Sequence, residues 1–555
     1  MKTKFNLKNT IGVALFVLAT TSCSDFLDTP PSDLLSSNGF YQSATQSEQG
    51  ILGIYAALRY VSDYEYLFMS ECRSDNTWIE PQTNGLREYS EIGTFRAGND
   101  ITTFNNAWNA WYKVIYNANV AIARIPDCDF GVNADVKDQF LGEAYFLRGW
   151  AYFELVRLFG NIPLIDIPLL PAEAKNVPQS SAREIMDKIV LPDLKEAKTK
   201  LPFSADLRDS KGASIAKNGR ADQIAAQAML GRVYMTLAGF PFNDNSAQGL
   251  AETELKSVIT YSENNNDKYW APDSIEWRKQ WMPDDAYYNK YSIFAIQYRT
   301  GGSGNPAIFN YSPALPASYT GKTIFGNSIW VEKSLMYEFD KTYQKDGETL
   351  MDARGRGYSI LTGYDAEGNT PAYSQPTEEL TLPDGSKVDV LSHTMIYKYL
   401  PTKRKIAALG LSINAESAMK DNYDWGVNLP IIRYEDVLLM YAEILTTKDV
   451  AQSVSIVNRI RERMGCEPVS TNSATEALAF IKRERRIEFL GEGIRWFDLV
   501  RYGEWKSAIS NMFNRYNNQE GTDLNNIKDG RHLYPIPLNQ MNVKPGFYKQ
   551  NEGYN

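Results

Sequence analysis

Two glutamates in the carboxyl half have the spacing that most resembles a catalytic pair. Glu484 and Glu488 lie within an apolar stripe of helical period, which puts their Cβ atoms about 5 to 6 Å apart on one helix face. A retaining glycosidase uses two carboxyl groups about 5 to 5.5 Å apart. Those groups flank the substrate from different sides of a cleft, whereas these two project from the same helix.

The charges around this pair also argue against catalysis. Five arginines are close in sequence: Arg483, Arg485, Arg486, Arg495 and Arg501. Nearby guanidinium groups lower the pKa of a carboxyl group, whereas a catalytic acid needs a raised pKa. We therefore predict a structural ion-pair network at a helix junction.

Other catalytic templates fit poorly. The chain has only two histidines, His393 and His532, which we interpret as structural, and no zinc-protease spacing. In GGSGN, residues 301–305, an asparagine stands where the nucleophile elbow G-x-S-x-G needs glycine. Acidic runs such as Asp284-Asp285 leave open the question of whether a calcium ion binds, although no EF-hand spacing is present. We predict no enzyme activity and no cofactor, and we assign no residue to a metal site.

The first cysteine is placed for lipid attachment. A lysine-rich start is followed by nine apolar residues, 11–19, which are too few to cross a membrane that needs about 20. This layout predicts a lipoprotein signal peptide over residues 1–22. Ser22 supplies the small residue that precedes a lipidated cysteine, although Thr20 replaces the usual aliphatic residue. We predict that Cys23 is lipid-modified and holds the mature chain at a membrane.

The remaining cysteines and the net charge argue against several classes of function. Cys72, Cys128 and Cys466 are scattered, and no C-x-x-C motif suggests a metal or redox site. Whether two of them pair stays open. The formal charge of −9 argues against nucleic acid as a partner, which would need basic patches. No second apolar stretch reaches membrane-spanning length.

The elements that must position these residues are mostly helices. Apolar residues recur at steps of three and four in residues 104–122, 136–159, 182–201, 220–238, 250–262, 434–445, 450–464, 474–490 and 494–502. Consecutive amphipathic helices of this length resemble tetratricopeptide hairpins, although no full 34-residue consensus is present. We predict a mainly α fold with a tetratricopeptide-like scaffold, divided into a helical part over 23–262 and another over 392–555.

Residues 263–391 have a different composition, rich in glycine, proline, asparagine and aromatic residues, with short strand-like runs such as 292–298. We predict that this segment is a loop-rich, ligand-binding insert. Of the 70 residues from 261 to 330, 15 are aromatic, compared with 12% in the whole chain. Flat aromatic rings pack against the C–H faces of sugars, and planar polar groups bind their hydroxyls.

The candidate ligand platform comes from both halves of the chain. The aromatic residues of the insert that we assign to it are Trp277, Trp281, Tyr287, Tyr288, Tyr291 and Trp330. The stretch RSDNTW offers a second wall through Arg73, Asp75, Asn76 and Trp78. The alternative is that these aromatic side chains fill the core of a subdomain that is short of regular structure.

Several stretches together resemble the SusD-like (RagB/SusD) family of outer-membrane nutrient-binding lipoproteins. They are CSDFLDTPPSD, GILGIYAALR, AYFLRGWAYFELVRLFGNIPLI, GRADQIAAQAMLGRVYM, LPIIRYEDVLLMYAEIL, VNRIRERMG, ERRIEFLGEGIRWFDLVRYG, YPIP and QNEGY. Two departures are Phe159 in place of tyrosine and Glu552 in place of proline. The matches span nearly the whole chain.

This resemblance implies a surface lipoprotein that is not an enzyme. Such a protein binds oligosaccharide or polysaccharide and delivers it to a SusC-like TonB-dependent transporter in the outer membrane. Ligand contacts vary within the family and are not carried over by motif. A peptide-binding member of the same family is one alternative, and a secreted glycosidase, supported only by the glutamate pair, is another.

Overall fold

The computed structural model describes residues 40–61, 68–79, 87–215, 219–284, 290–305, 329–361, 377–391, 394–415, 417–420, 424–516 and 521–554. The helices are α1 (Ala44–Leu58), α2 (Arg87–Gly93), α3 (Thr102–Arg124), α4 (Ala134–Phe159), α5 (Pro171–Ala174), α6 (Ala182–Ile185), α7 (Leu191–Lys200), α8 (Gln223–Ala238), α9 (Ala247–Asn264), α10 (Ser274–Lys279), α11 (Lys333–Asp340), α12 (Lys403–Ala408), α13 (Tyr434–Leu445), α14 (Val450–Arg463), α15 (Ala474–Glu488), α16 (Arg495–Arg501), α17 (Trp505–Arg515) and α18 (Leu538–Val543). A π-helical turn, Met186–Val190, joins α6 to α7.

The long helices pack largely in chain order. Helix α1 contacts α3, and α3, α4, α7, α8 and α9 then contact one another in succession. Helix α9 next contacts α13, although residues 265–433 separate them in sequence, and α13, α14 and α15 continue the stack. This arrangement confirms the predicted mainly α, tetratricopeptide-like fold. The part boundaries at 22, 262 and 391 stay predictions.

Local sequence explains where two of these helices begin, end and pack. Asp222 caps α8, since its side chain accepts a hydrogen bond from the Ala225 amide at 2.8 Å. A Cβ atom on Gly231 would lie 2.6 Å from the Leu255 side chain, so glycine permits the close approach of α8 to α9. Gly160 ends α4 with φ +69°, a conformation that favours glycine.

The strands are short and lie mostly in the insert. They are β1 (Thr77–Ile79), β2 (Ile162–Pro163), β3 (Gln179–Ser180), β4 (Ser292–Ile296), β5 (Ile329–Val331), β6 (Thr342–Lys345), β7 (Glu348–Met351), β8 (Ile360–Leu361), β9 (Thr377–Thr381), β10 (Lys387–Leu391), β11 (Met395–Ile396) and β12 (Leu429–Arg433). One antiparallel sheet has the order β1-β5-β11-β8. The other strands pair antiparallel in twos: β2 with β3, β4 with β12, β6 with β7, and β9 with β10.

The insert leaves the helical stack between α9 and α13, and strand pairing closes its base. Strand β4 pairs with β12, which directly precedes α13. Phe294 of β4 packs edge-on against two aromatic rings of α4, Phe146 at 4.9 Å and Trp150 at 5.5 Å between centroids. The end of β4 is therefore held rigidly over the scaffold.

Several other expectations concern single residues. Cys72, Cys128 and Cys466 are buried free thiols, which closes the question of a disulfide among them. His532 is half-buried, and burial, helped by Arg73 and Lys506, lowers its pKa to about 4. Cys23 and His393 lie outside the described residues. Among the residues that the structure describes, no helix is long and apolar enough to span a bilayer, and no metal-type cluster of three acidic, histidine or cysteine residues occurs.

Candidate functional site

Two tryptophans of the predicted platform lie in the core. Trp277 of α10 is 1% exposed and Trp281 is 2% exposed. The Trp277 Nε1 atom donates a hydrogen bond to Glu488 Oε1 at 2.9 Å, and the Trp281 ring packs edge-on against Tyr399 at 5.4 Å. In this arrangement both rings pack against other side chains of the protein. Their predicted role in ligand binding stays a prediction.

The polar residues of RSDNTW are also buried. Asp75 accepts two hydrogen bonds from Arg495, at 2.7 and 2.9 Å. Burial alone would raise the pKa of Asp75, but the charges of Arg486 and Arg495 outweigh burial and hold it well below its usual range. Asn76 donates to Glu71 Oε1 at 2.8 Å. These contacts join the residues before β1 to α15 and α16.

Arg73 contacts aromatic side chains from both ends of the chain. Its guanidinium carbon lies 3.8 Å from the Phe95 ring centroid and 4.8 Å from that of Tyr534. Its Nη2 atom donates to Tyr554 Oη at 3.1 Å. The structure therefore gives Arg73 a cross-linking position in the scaffold, and a role of Arg73 in ligand binding stays a prediction.

The structure brings Trp78 and Trp330 together. They are direct partners in the pairing of β1 with β5, so a residue of the amino-terminal part does lie beside the insert. Trp78 is 4% exposed and stacks on Tyr516 with 4.3 Å between centroids, whereas Trp330 is half-buried. The Tyr291 hydroxyl donates to Glu276 at 2.6 Å. Tyr287 and Tyr288 lie outside the described residues.

Glu484 and Glu488 occupy a buried charge network at the α15 end. Arg354 Nη1 contacts Glu484 Oε1 at 2.6 Å and Glu488 Oε2 at 2.8 Å, and all three side chains are 0% exposed. Arg461 pairs with Glu484 at 2.9 Å and Arg433 pairs with Glu488 at 2.9 Å. Within the described part of the chain, both carboxylates are closed off from solvent by these contacts.

The partners of these glutamates come from distant segments and are not the five arginines close in sequence. Arg485, for example, pairs with Asp498 at 2.7 Å, because a residue one position from Glu484 faces another side of the helix. Burial alone would raise the pKa of Glu488, but Arg433 and Arg354 outweigh burial and lower it to about 2. This direction is the opposite of what a catalytic acid needs.

A cleft of about 640 Å³ opens where β4 ends, within the range of about 300 to 1,000 Å³ that small-molecule sites occupy. Its lining residues are Pro283, Tyr298, Arg299, Thr300, Ser412, Ile413, Asn414, Ser417, Ala418 and Gly426. Hydroxyl and amide groups line it beside apolar carbons and one exposed guanidinium group, that of Arg299. This mixture of groups fits a polyhydroxylated ligand.

Hydrogen bonds hold one wall of this cleft in place. Asp424 Oδ2 accepts hydrogen bonds from the Gly301 and Gly302 amides, both at 2.8 Å. Arg59 at the end of α1 donates to Ser303 Oγ at 3.1 Å. The glycines are needed here, because Gly301 and Gly302 have φ of +105° and +101°. The GGSGN stretch is thus a structural loop, and it directly follows the lining residues Arg299 and Thr300.

The residues of this cleft are not among those predicted from the sequence to bind a ligand. Tyr298 and Pro283 fall in the aromatic-rich stretch of the sequence, so composition pointed to this region. Residues 412–418 fall in the part predicted as helical. The serine and asparagine residues of this segment and the glycine near it, which lack helical period, were the signal that could have indicated a loop. Only the fold brings these two segments together.

Comparison with known proteins assigns the scaffold. The model of the SusD family matches residues 251–554. The chain belongs to the SusD family. A second family model, described as "Starch-binding associating with outer membrane", matches residues 25–235.

Individual relatives of this SusD-family chain match over nearly its whole length. A SusD-like protein of Formosa agariphila is 27% identical over 536 residues, which cover 90% of this chain and 92% of the relative. The surface glycan-binding protein A of Bacteroides fluxus has a similar structure, with a TM-score of 0.68 and 23% identity over 92% of this chain and all of the other. A laminarin-binding SusD-like protein superimposes with a TM-score of 0.64 and 21% identity, over 93% of this chain and all of the other.

Proposed function

We propose that this SusD-family protein is a cell-surface lipoprotein that binds oligosaccharide or polysaccharide in the cleft at the end of β4. In this proposal Cys23 carries the lipid anchor in the outer membrane, and the bound glycan passes to a SusC-like TonB-dependent transporter. The protein performs no chemistry on the glycan. The names of two similar structures, a surface glycan-binding protein and a laminarin-binding protein, support the ligand class.

The observation that carries the proposal is the chemistry of the cleft lining. A sugar ring needs donors and acceptors for its hydroxyls and apolar carbons for its C–H faces. Thr300, Ser412 and Ser417 supply hydroxyls, whereas Pro283 and Ile413 supply apolar surface. Because the wall that carries Thr300 is pinned by Asp424, the site is largely formed before the ligand arrives.

Affinity electrophoresis of the full chain with Cys23→Ser, in gels containing laminarin, starch, xylan or mannan, tests this proposal. We expect at least one polysaccharide to retard the protein. Ser412→Trp places a bulky ring in the cleft from an exposed position and should weaken that retardation at least tenfold. Gln452→Trp, also exposed but outside the cleft lining, is the matched control and should behave as the parent.

Three outcomes would contradict the proposal. Retardation that is equal for parent and Ser412→Trp would place the glycan site elsewhere. Release of smaller sugars during incubation would show an enzyme. Binding of peptides, with no retardation by any polysaccharide, would favour the peptide-binding alternative.

A further inference from the structure

A second cleft, of about 750 Å³, runs along α14 and shares no lining residue with the cleft at β4. Its floor follows one face of α14 from Ala451 to Glu462. At 1.5 Å per residue this face is about 16 Å long, enough for several sugar units in a row. The length and concave shape suit a chain-like ligand.

The walls of this second cleft are firmly held. Asn458 of α14 donates to the Val469 carbonyl and accepts from the Val469 amide, both at 2.8 Å, which fixes the loop that forms one side. Half-buried Trp270 stands on the lining, with the guanidinium carbons of Arg459 and Arg463 at 4.2 and 3.9 Å from its ring centroid. Trp270 is not among the residues predicted from the sequence to bind a ligand.

Arg463 has two donors without an acceptor. Its Nη1 atom donates to the Ala271 carbonyl at 3.2 Å and to Glu435 Oε1 at 2.8 Å. Its Nε and Nη2 atoms have no hydrogen-bond partner within the described part of the chain, although the side chain is only 2% exposed. Elsewhere in this chain the same edge of a guanidinium group grips two oxygens: Arg148 holds Asp193 at 2.7 and 2.8 Å. Buried donors are normally paired.

We call the Nε and Nη2 atoms of Arg463 the fork. The charges near the fork determine which oxygen atoms it can bind. Arg459 is already paired with Asp267 at 3.1 Å, and Arg463 with Glu435. Exposed Glu462 also lines the cleft. Arg433 also pairs with Glu435, at 2.7 Å, so the three carboxylates are matched by three guanidinium groups and the cleft has no net positive charge to hold an anionic ligand. Neighbouring hydroxyls of a neutral sugar can accept from the fork and donate to Glu462.

From this geometry we propose that the α14 cleft is a second glycan site, which takes a neutral saccharide. The fork binds two adjacent hydroxyls, and Trp270 packs on the sugar ring. Nε and Nη2 are buried, and the Trp270 ring centroid lies 3.9 Å from the guanidinium carbon of the same side chain, so in this proposal the indole moves when the sugar reaches the fork. This inference rests on the proposed glycan binding and adds a second point of attachment for a long polysaccharide.

Titration calorimetry of the full chain with Cys23→Ser tests the second site. The neutral probes are laminarihexaose, maltohexaose, xylohexaose and mannohexaose, which are fragments of the four polysaccharides above, and an oligogalacturonate is the acidic probe. For the neutral probe that binds, we expect two sites per chain. Ser455→Trp, from an exposed position on the cleft floor, should remove one site, and Gln452→Trp on the same helix should keep both.

Two further variants separate this site from the first. Arg463→Lys keeps the charge that faces Glu435 but removes the fork, so it should weaken the second site at least tenfold. Ser412→Trp should remove only the first site. A single site that Ser412→Trp abolishes and Ser455→Trp leaves unchanged would overturn the inference while the proposed function stands. Binding of no probe would overturn both, and binding of only the acidic probe, lost in Ser455→Trp, would overturn the neutral class.

Discussion

Replacing Glu488 with glutamine should destabilise the protein, because the carboxylate lies between two buried arginines. Arg354 contacts it at 2.8 Å and Arg433 at 2.9 Å, and the glutamate is 0% exposed. Glutamine has nearly the same shape and can still accept from Trp277, but it carries no charge. Two guanidinium groups then lose part of their compensation in a buried site.

The magnitude follows from the pKa of Glu488. A pKa of about 2 in place of 4.5 corresponds to about 3 kcal/mol, since each tenfold change in proton affinity is about 1.4 kcal/mol. Loss of one partner of a buried ion pair typically costs about 3 to 5 kcal/mol of stability, and the value from the pKa agrees with this range. Because the folded-state pKa is lowered, this stabilisation is complete above pH 4.5 and disappears as the pH falls from 4.5 towards 2.

Urea unfolding followed by far-UV circular dichroism measures this effect. At pH 7 we expect Glu488→Gln to lose about 3 kcal/mol, and we expect the difference from the parent to shrink below pH 4.5. The control, Glu467→Gln, changes an exposed glutamate in a loop and should alter stability by less than about 0.5 kcal/mol. If Glu488→Gln unfolds at the same urea concentration as Glu467→Gln, the buried network does not stabilise the fold as argued.

Two further predictions concern the anchor and the buried aromatic residues. Cys23→Ser should move the protein from the salt-washed membrane fraction to the soluble fraction, and retention in the membrane fraction would contradict lipid attachment at Cys23. Trp277→Ala should lower stability by about 3 to 5 kcal/mol, because it leaves a cavity in the core. Trp330→Ala, at a half-buried strand position, should cost less, as melting temperatures would show; the reverse order would contradict the burial argument.

Local regularities explain which features the sequence predicts well. The apolar period places α13 at Tyr434–Leu445, the predicted bounds, and α14 ends one residue before its predicted end. Helix α4 ends at Phe159, the predicted bound, because Gly160 follows it with a positive φ that favours glycine. These properties depend on neighbours within one or two turns.

Long-range contacts decided the remaining features. Aromatic content alone could not distinguish the buried Trp277 ring from a ligand platform, since burial depends on which helix packs above it. The partners of Glu488, Arg354 and Arg433, lie 134 and 55 residues away in sequence, and no local pattern connects them.

The amino-acid sequence by itself determined the helices and the family, because helical period and the order of motifs are properties of contiguous residues. The tertiary structure decided where clefts form. The cleft at β4 joins Thr300 to Ser412, and the α14 cleft joins Trp270 to Arg463. Such sites exist only after the chain folds, because a concave surface is built from segments that the helical stack brings together.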